Sequence, residues 1–317
     1  MKAIQHSHFR RSDIPVATHR GRNAPPTILL VFALFAFSLL PQLARAASSP
    51  DTLVVAFQPQ ENPEKLQLNA KAMTEFLSAE LKMPVKIYIP TSYAAVVEAL
   101  RGEHAHVAYF SALPYAMAHK LAGVEVVAAE ERDGKTSYNS RWYVRADSAY
   151  KTLADTRGKP AAFTSPTSTS GYLFPFAKLV EEKCIPPHGD PKKFFSQVLF
   201  AGGYEQSLKA LVNGQVEVAA ASDYALARFL TPEEQKKVRV LTEQGPVPTH
   251  CLAVKTNLSA ELRQKITEAL MKLNEPQHKD LLKSVYGAQR LKPVTHDEHI
   301  GSLKRAIEIT GLEFPIN

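Results

Sequence analysis

The stretch Phe163-Thr164-Ser165-Pro166-Thr167-Ser168-Thr169-Ser170-Gly171-Tyr172 has residue types and spacing suited to holding an anion. It joins an apolar run to an amphipathic one, which places it at the turn between a buried strand and a helix. The first N–H groups of a helix have no partner within it, and the helix dipole is positive at that end. Hydroxyl groups gathered there add donors, and the combination suits an anion. One Ser or Thr is enough to cap a helix. The run Thr167-Ser168-Thr169-Ser170, followed by Gly171, exceeds that need. Gly171 is expected to let a ligand come close to the backbone.

Three further strand-to-helix turns have related chemistry: Thr91-Ser92-Tyr93, Tyr109-Phe110-Ser111 and Gly202-Gly203-Tyr204-Glu205. In an open α/β sheet, ligands bind beyond the carboxyl ends of the strands. Several helix N-termini meeting in one cleft would hold a small oxyanion without a buried Lys or Arg. Taken singly, each turn needs no more than an ordinary cap or a core aromatic. Their coincidence favours the site.

Other chemistries find no support. The chain contains no G-x-x-x-x-G-K-[ST], no H-E-x-x-H and no G-x-S-x-G, so no catalytic residue, metal or cofactor is assigned. Glu103-His104-Ala105-His106 offers two histidines on one strand face but no third ligand, and is expected to be surface polarity. Glu130-Glu131 is expected to be a solvated strand end. Cys184 and Cys251 are expected to be buried thiols in preference to a bridge between the two halves of the chain.

The elements that must position these turns alternate along the chain. An apolar strand over 53–57 is followed by Asn62-Pro63-Glu64, a cap with Pro at the first helical position. Leu66, Ala70, Met73, Leu77 and Leu81 then form one buried stripe. Strands over 85–89, 104–110 and 124–129 enclose helices that begin at Thr91-Ser92 and at Ser111. Trp142-Tyr143-Val144 is expected to lead out of this first half. The rhythm then restarts, with strands over 159–163, 197–200, 216–221, 238–241 and 251–255. The helices of this half are expected over 169–182, 204–213, 223–230, 260–273 and 296–310. This pattern predicts an α/β architecture with much parallel sheet. The expected division is one lobe of residues 47–144 with 246–317 and a second of 145–245. Hinges are expected near Val144-Arg145-Ala146 and Gln244-Gly245-Pro246.

The chain has 317 residues, 45% hydrophobic and 22% charged, and a net charge of +7. Residues 1–46 hold six Lys or Arg and one Asp; the remaining 271 residues hold 32 basic and 30 acidic groups. The near-balance removes the case for a nucleic-acid surface. Residues 28–40 read ILLVFALFAFSLL, thirteen uncharged residues, where a bilayer span needs about 20. Basic residues precede the run and Ala44-Arg45-Ala46 follows it, so 1–46 is expected to be a cleavable secretory signal peptide. No cysteine stands near the cleavage point to take a lipid. The product is expected to be an exported periplasmic protein.

Several segments together resemble a known family. They are Phe57-Gln58-Pro59-Gln60-Glu61-Asn62-Pro63, Thr91-Ser92-Tyr93-Ala94-Ala95-Val96-Val97-Glu98-Ala99-Leu100, Val107-Ala108-Tyr109-Phe110 with Pro114-Tyr115, Ser168-Thr169-Ser170-Gly171-Tyr172, Phe200-Ala201-Gly202-Gly203 and Asn213-Gly214-Gln215-Val216-Glu217. Over most of residues 52–275 the chain resembles the phosphate, phosphite and phosphonate binding proteins of ABC importers. The resemblance implies a type II periplasmic binding protein, two-lobed, with a ligand cleft between the lobes and two hinge crossovers. It implies that Tyr93, Tyr109 and Phe110 line the first lobe, and that Ser168, Thr169 and Ser170 hold a small oxyanion from the second. Tyr138-Asn139-Ser140 matches a segment that usually reads Tyr-Arg-Ser.

The chain departs from the family at four places. Ser111-Ala112 stands where Gly-Pro is common, Ser165 where an Asp is usual, and Tyr204-Glu205 where His-Asp is frequent. The acid that reads an aminophosphonate's ammonium in some members falls near Tyr224, with Asp223 beside it. The expected ligand set is Tyr93, Tyr109, Phe110, Ser111, Tyr138, Ser168, Thr169, Ser170, Tyr204 and Asp223. Loss of the His implies either a ligand with one fewer acceptor oxygen or a Tyr hydroxyl in the same role. The expected protein is a monomer that delivers its ligand to an ABC permease, with no nucleic acid and no cofactor. The alternatives are a sensory binding protein that presents to a histidine kinase and, ranking lower, an exported phosphate-ester enzyme.

Overall fold

The computed structural model describes residues 49–316, and the expected signal peptide lies outside them. The first part of the chain runs β1 (Leu53–Phe57), α1 (Pro63–Leu81), β2 (Val85–Tyr88), α2 (Tyr93–Arg101), β3 (Val107–Phe110), α3 (Ala112–Ala122) and β4 (Val124–Glu131). Next come β5 (Ser137–Arg145), β6 (Pro160–Phe163), a π-helical turn at Thr169–Leu173 leading into α4 (Phe174–Glu181), β7 (Gln197–Phe200), α5 (Tyr204–Val212) and β8 (Val218–Ser222). The remainder is α6 (Ala225–Phe229), α7 (Pro232–Gln235), β9 (Val238–Pro248), β10 (Cys251–Lys255), α8 (Ala260–Lys272), α9 (Lys279–Tyr286), β11 (Arg290–Lys292) and α10 (His296–Thr310).

Local signals set these boundaries. Asn62 Oδ1 accepts the N–H groups of Glu64 and Lys65, and Pro63 occupies the first helical position, where its missing N–H costs nothing. The α1 stripe buries Leu66, Ala70, Met73 and Leu77. Helix α10 opens on a capping box of Thr295 and Glu298 and stops at Gly311, whose φ of +65° is left-handed.

Two mixed sheets result. Six strands lie in the order β11-β4-β10-β3-β1-β2 and five in the order β7-β6-β8-β5-β9. Within the first, β1 runs parallel to β2 and β3, while β10 is antiparallel to both β3 and β4. Within the second, β6 runs parallel to β7 and β8, and β5 is antiparallel to β8 and β9. One apolar cluster draws on both halves, joining Phe110, Leu113 and Tyr115 to Leu173, Phe174 and Val247.

The chain passes between the sheets at residues 132–136 and again at Thr249-His250, which differs from the expected boundaries at 144/145 and 245/246. Trp142, Tyr143 and Val144 do not lead out of the first half; they belong to β5, paired with β8 and β9 of the five-stranded sheet. The first half of β5 alternates half-buried Ser137, Asn139 and Arg141 with buried Tyr138 and Ser140. It lacks an apolar run, so only its end was visible in the sequence. The two passages lie side by side. Thr249 N–H donates to the Thr136 carbonyl at 3.1 Å, and Thr249 Oγ1 donates to that of Glu130 at 2.7 Å.

Glu130 is not a solvated strand end. It is fully buried, and its carboxylate accepts Tyr109 OH at 2.7 Å and Arg132 Nη2 at 2.8 Å, with His250 Nδ1 at 3.6 Å. Burial pushes this carboxyl up, but Arg132, His250 and Tyr109 together outweigh burial and hold it at about 2. Cys184 and Cys251 are both buried free thiols.

Gly171 is required by packing within the turn itself. A Cβ there would collide with Oγ1 and Cβ of Thr164. Thr164 N–H donates to the Gly171 carbonyl at 3.0 Å. The close approach is therefore between the end of β6 and the following turn.

Two stability predictions follow from this packing. Gly171→Ala overpacks that contact and should lower stability by about 1–3 kcal/mol in thermal unfolding. Glu130 has a folded value below its ordinary value near 4.5, so its contribution is complete above that pH and is lost as pH falls toward about 2. That contribution is roughly 3 kcal/mol at one unit per 1.36 kcal/mol. Denaturant titrations from pH 6 to 2 should show this loss. Glu130→Gln should flatten it while lowering stability at neutral pH, because Arg132 then stays buried without its counter-charge.

Candidate functional site

The hydroxyl-rich turn follows β6 at the interface between the sheets. Ser168, Thr169 and Ser170 are wholly buried. Each hydroxyl has a different partner. Ser168 Oγ accepts the Gly171 N–H at 3.0 Å and so caps the helix. Thr169 Oγ1 accepts the Leu113 N–H at 2.9 Å, from the first turn of α3 in the six-stranded half. Ser170 Oγ lies 3.0 Å from Tyr138 OH, which donates to it, and 2.7 Å from Tyr204 OH. The backbone is held from behind, where Ser140 Oγ donates to the Ser170 carbonyl at 2.6 Å and receives Gln244 Nε2 at 2.6 Å. The N–H groups of Thr169 and Ser170 begin the helical segment and have no partner within it.

Tyr138, Ser170 and Tyr204 therefore form a triangle of hydroxyls, the two phenols 3.5 Å apart. Tyr138 stacks on His250 at 6.3 Å and meets Tyr224 at 5.4 Å, and Tyr224 meets Tyr204 at 6.2 Å. Burial pushes the phenols of Tyr138, Tyr204 and Tyr224 up, so all three remain protonated donors at neutral pH. Arg132 lies over the Tyr224 ring at 4.4 Å, and its nearest charge is Glu130. The cation next to the site is thus neutralised within the protein, and the turn faces neutral dipoles.

The other expected residues divide. Tyr93 is fully buried at the start of α2. Tyr109 is buried but spends its hydroxyl on Glu130. Phe110 packs edge-on against Tyr115 at 6.1 Å. Ser111 directs both its N–H and its hydroxyl to Gln58 Oε1, at 3.0 and 2.9 Å. Asp223 Oδ2 accepts the Asn139 N–H at 2.9 Å, so its carboxylate buttresses β5. Burial pushes its carboxyl up. His106 Nδ1 accepts the Val54 N–H at 3.0 Å. Among the described residues no group of three His, Cys, Asp or Glu is placed to hold a metal.

Contacts between the halves surround the turn. The Tyr204 N–H donates to the Gln60 carbonyl at 3.1 Å, the Asn62 N–H to Glu205 Oε2 at 3.1 Å, and Arg228 Nη2 to Glu61 Oε1 at 3.3 Å. Gly203 is required here, since a Cβ would stand 2.9 Å from the Gln60 carbonyl oxygen. The sequence shows the β1–α1 loop as a helix cap at Asn62 and as part of the family resemblance, but not its part in the interface. The signal was the polar run Gln58 to Asn62 directly after a buried strand. A cavity of about 590 Å³ on the flank of the crossovers is lined by Tyr138, Phe174, Gln244 and Arg305, but not by Ser168, Thr169 or Ser170.

The geometry can be set beside known proteins. The model of the family described as ABC transporter, phosphonate, periplasmic substrate-binding protein matches residues 55–299. The phosphate-import protein PhnD of Mycolicibacterium smegmatis is 29% identical over 214 residues, covering 65% of this chain and 66% of that protein, just under two thirds of its length. Among solved structures, the binding protein component of an ABC phosphonate transporter from Pseudomonas aeruginosa superposes with a TM-score of 0.75 at 20% identity, over 83% of this chain and 87% of that one. PhnD1 from Prochlorococcus marinus in complex with methylphosphonate gives a TM-score of 0.72 at 17% identity, over 82% of this chain and 98% of the other. These likenesses show the type II periplasmic binding protein fold, and among the described residues there is no closed barrel. With the family model matching most of the chain, this protein belongs to the periplasmic substrate-binding proteins of phosphonate ABC transporters.

Proposed function

We propose that this protein captures a small phosphorus oxyanion between its two halves and presents it to the permease of an ABC importer. The observation that carries the reading is the buried turn at Ser168 to Ser170. There, helix-initiating N–H groups, serine and threonine hydroxyls and two tyrosine hydroxyls of the five-stranded half converge, the Leu113 N–H reaches Thr169 from the other half, and the adjacent Arg132 is already paired. Dipoles fixed before binding can replace the hydration of an anion without reorganising. A hydrogen bond to a charged group contributes roughly 1.5–3 kcal/mol. Three or four would support micromolar binding, about −8 kcal/mol, after the costs of closure.

Closure follows from where these groups reside. Thr169 and Ser170 belong to the five-stranded half, while Leu113 and Gln60 belong to the six-stranded half. A ligand touching both gains its full set of contacts only when the halves meet, which shifts the population toward the closed form. The side-by-side passages at 132–136 and at Thr249-His250 are the two hinges in this reading. Export to the periplasm through the segment 1–46 completes it. Capture requires no covalent step.

A thermal-shift series with methylphosphonate, phosphite and inorganic phosphate tests the reading. A ligand at 100 times its dissociation constant should add about 2.7 kcal/mol of stability. Ser170→Ala removes the hydroxyl between the two tyrosines and should weaken binding tenfold or more. Ser168 and Thr169 are less clean targets, because their hydroxyls also cap the helix and join the halves. Wild-type affinity in the Ser170→Ala protein, measured by calorimetry, would refute the site.

A further inference from the structure

Two glutamines stand two residues apart in the β1–α1 loop, and the structure treats them differently. Gln58 Oε1 is consumed by Ser111, as described above. Gln60 is wholly buried, and neither Oε1 nor Nε2 of its side chain has a hydrogen-bond partner. A buried amide without partners costs free energy, and an apolar residue of the same shape would avoid that cost. The backbone locates this residue. Its carbonyl receives the N–H of Tyr204 at the start of α5, and it presses on Gly203. The Tyr204 hydroxyl in turn lies 2.7 Å from Ser170 Oγ. The backbone that carries the unsatisfied amide thus lies where the two halves touch, against the residue whose hydroxyl joins the turn.

We infer that Gln60 is a specificity-determining contact for the bound oxyanion, and that it selects an anion that retains a proton. This deepens the function proposed above and rests on it. An amide has one group of each kind. Its N–H donates to any anionic oxygen. Its carbonyl can only accept, so it needs an O–H. The helix N–H groups donate to the anion, as the phenols do, and a hydroxyl on the ligand supplies the proton that Gln60 Oε1 lacks. A phosphonate or phosphate monoanion carries such a hydroxyl, and a sulfonate of the same shape carries none. Against the sulfonate the buried carbonyl stays unpaired, which is the strong form of discrimination.

The test compares methylphosphonate with methanesulfonate by titration calorimetry, using the purified wild-type protein and the Gln60→Leu and Gln60→Met variants. Both substitutions keep the side-chain volume, so one of them serves if the other fails to fold. The wild-type protein should prefer methylphosphonate. In the variants its affinity should fall at least tenfold, while methanesulfonate binding changes by less than a factor of two. The unfolding midpoint without ligand should stay level or rise, which a merely structural glutamine would not allow. Unchanged methylphosphonate affinity, or an equal loss for both ligands, would overturn the inference while leaving the functional reading standing. A wild-type protein that binds neither methylphosphonate nor inorganic phosphate would remove that reading and the inference with it.

Discussion

An anion taken out of water must find its charge answered by something already in place. In this molecule Arg132, which lies over the Tyr224 ring, is committed to Glu130, and the turn at Ser168 to Ser170 offers neutral donors. A lone buried charge would be prohibitively costly, whereas fixed N–H and O–H dipoles at a helix start carry no net charge to bury in the unliganded state. The rest of the interface is arranged around keeping those dipoles oriented. Ser140 and Gln244 hold the turn from behind, and Thr164 locks it through Gly171.

In the proposed reading the same constraint gives both halves a part. No single turn supplies enough donors, and each half ends its parallel strands at the shared interface. The polar contacts that cross it are directional: Leu113 to Thr169, Tyr204 to Gln60, Asn62 to Glu205, Arg228 to Glu61. These polar contacts set the register of the closed geometry beside an apolar cluster that itself draws on both halves. The buried Glu130–Arg132 ion pair, with His250 beside it, sits where the chain passes between sheets, so its strength bears on the passage itself.

Much of the architecture was legible because its signals are local. The caps at Asn62 and Ser92, the stripe of α1 and the helix over His296–Thr310 follow from spacing and capping chemistry alone. The hydroxyl turn was legible because it exceeds what capping requires. The crossing points were not, because β5 and β9 are long strands with polar alternation and only their apolar ends stood out. The burial of Glu130 was invisible for a different reason: its partners, Arg132 excepted, are distant in sequence, and nothing local marks a carboxylate as paired. Ser111 entered the expected set from its strand-to-helix turn and Asp223 from the family resemblance, and the structure adds what neither shows: Ser111 is bonded to Gln58 and the Asp223 carboxylate to the Asn139 N–H. Sequence places a residue at the right end of a strand; which way its side chain is spent depends on neighbours that only the fold brings together.

The most direct measurement is a crystal structure of the protein grown with methylphosphonate. The proposed binding requires phosphorus-bound oxygens within hydrogen-bond distance of the Thr169 and Ser170 N–H groups and of a tyrosine hydroxyl from the Tyr138–Tyr204 pair. A ligand ordered elsewhere, with the Ser170 triangle of hydroxyls unchanged, would contradict it.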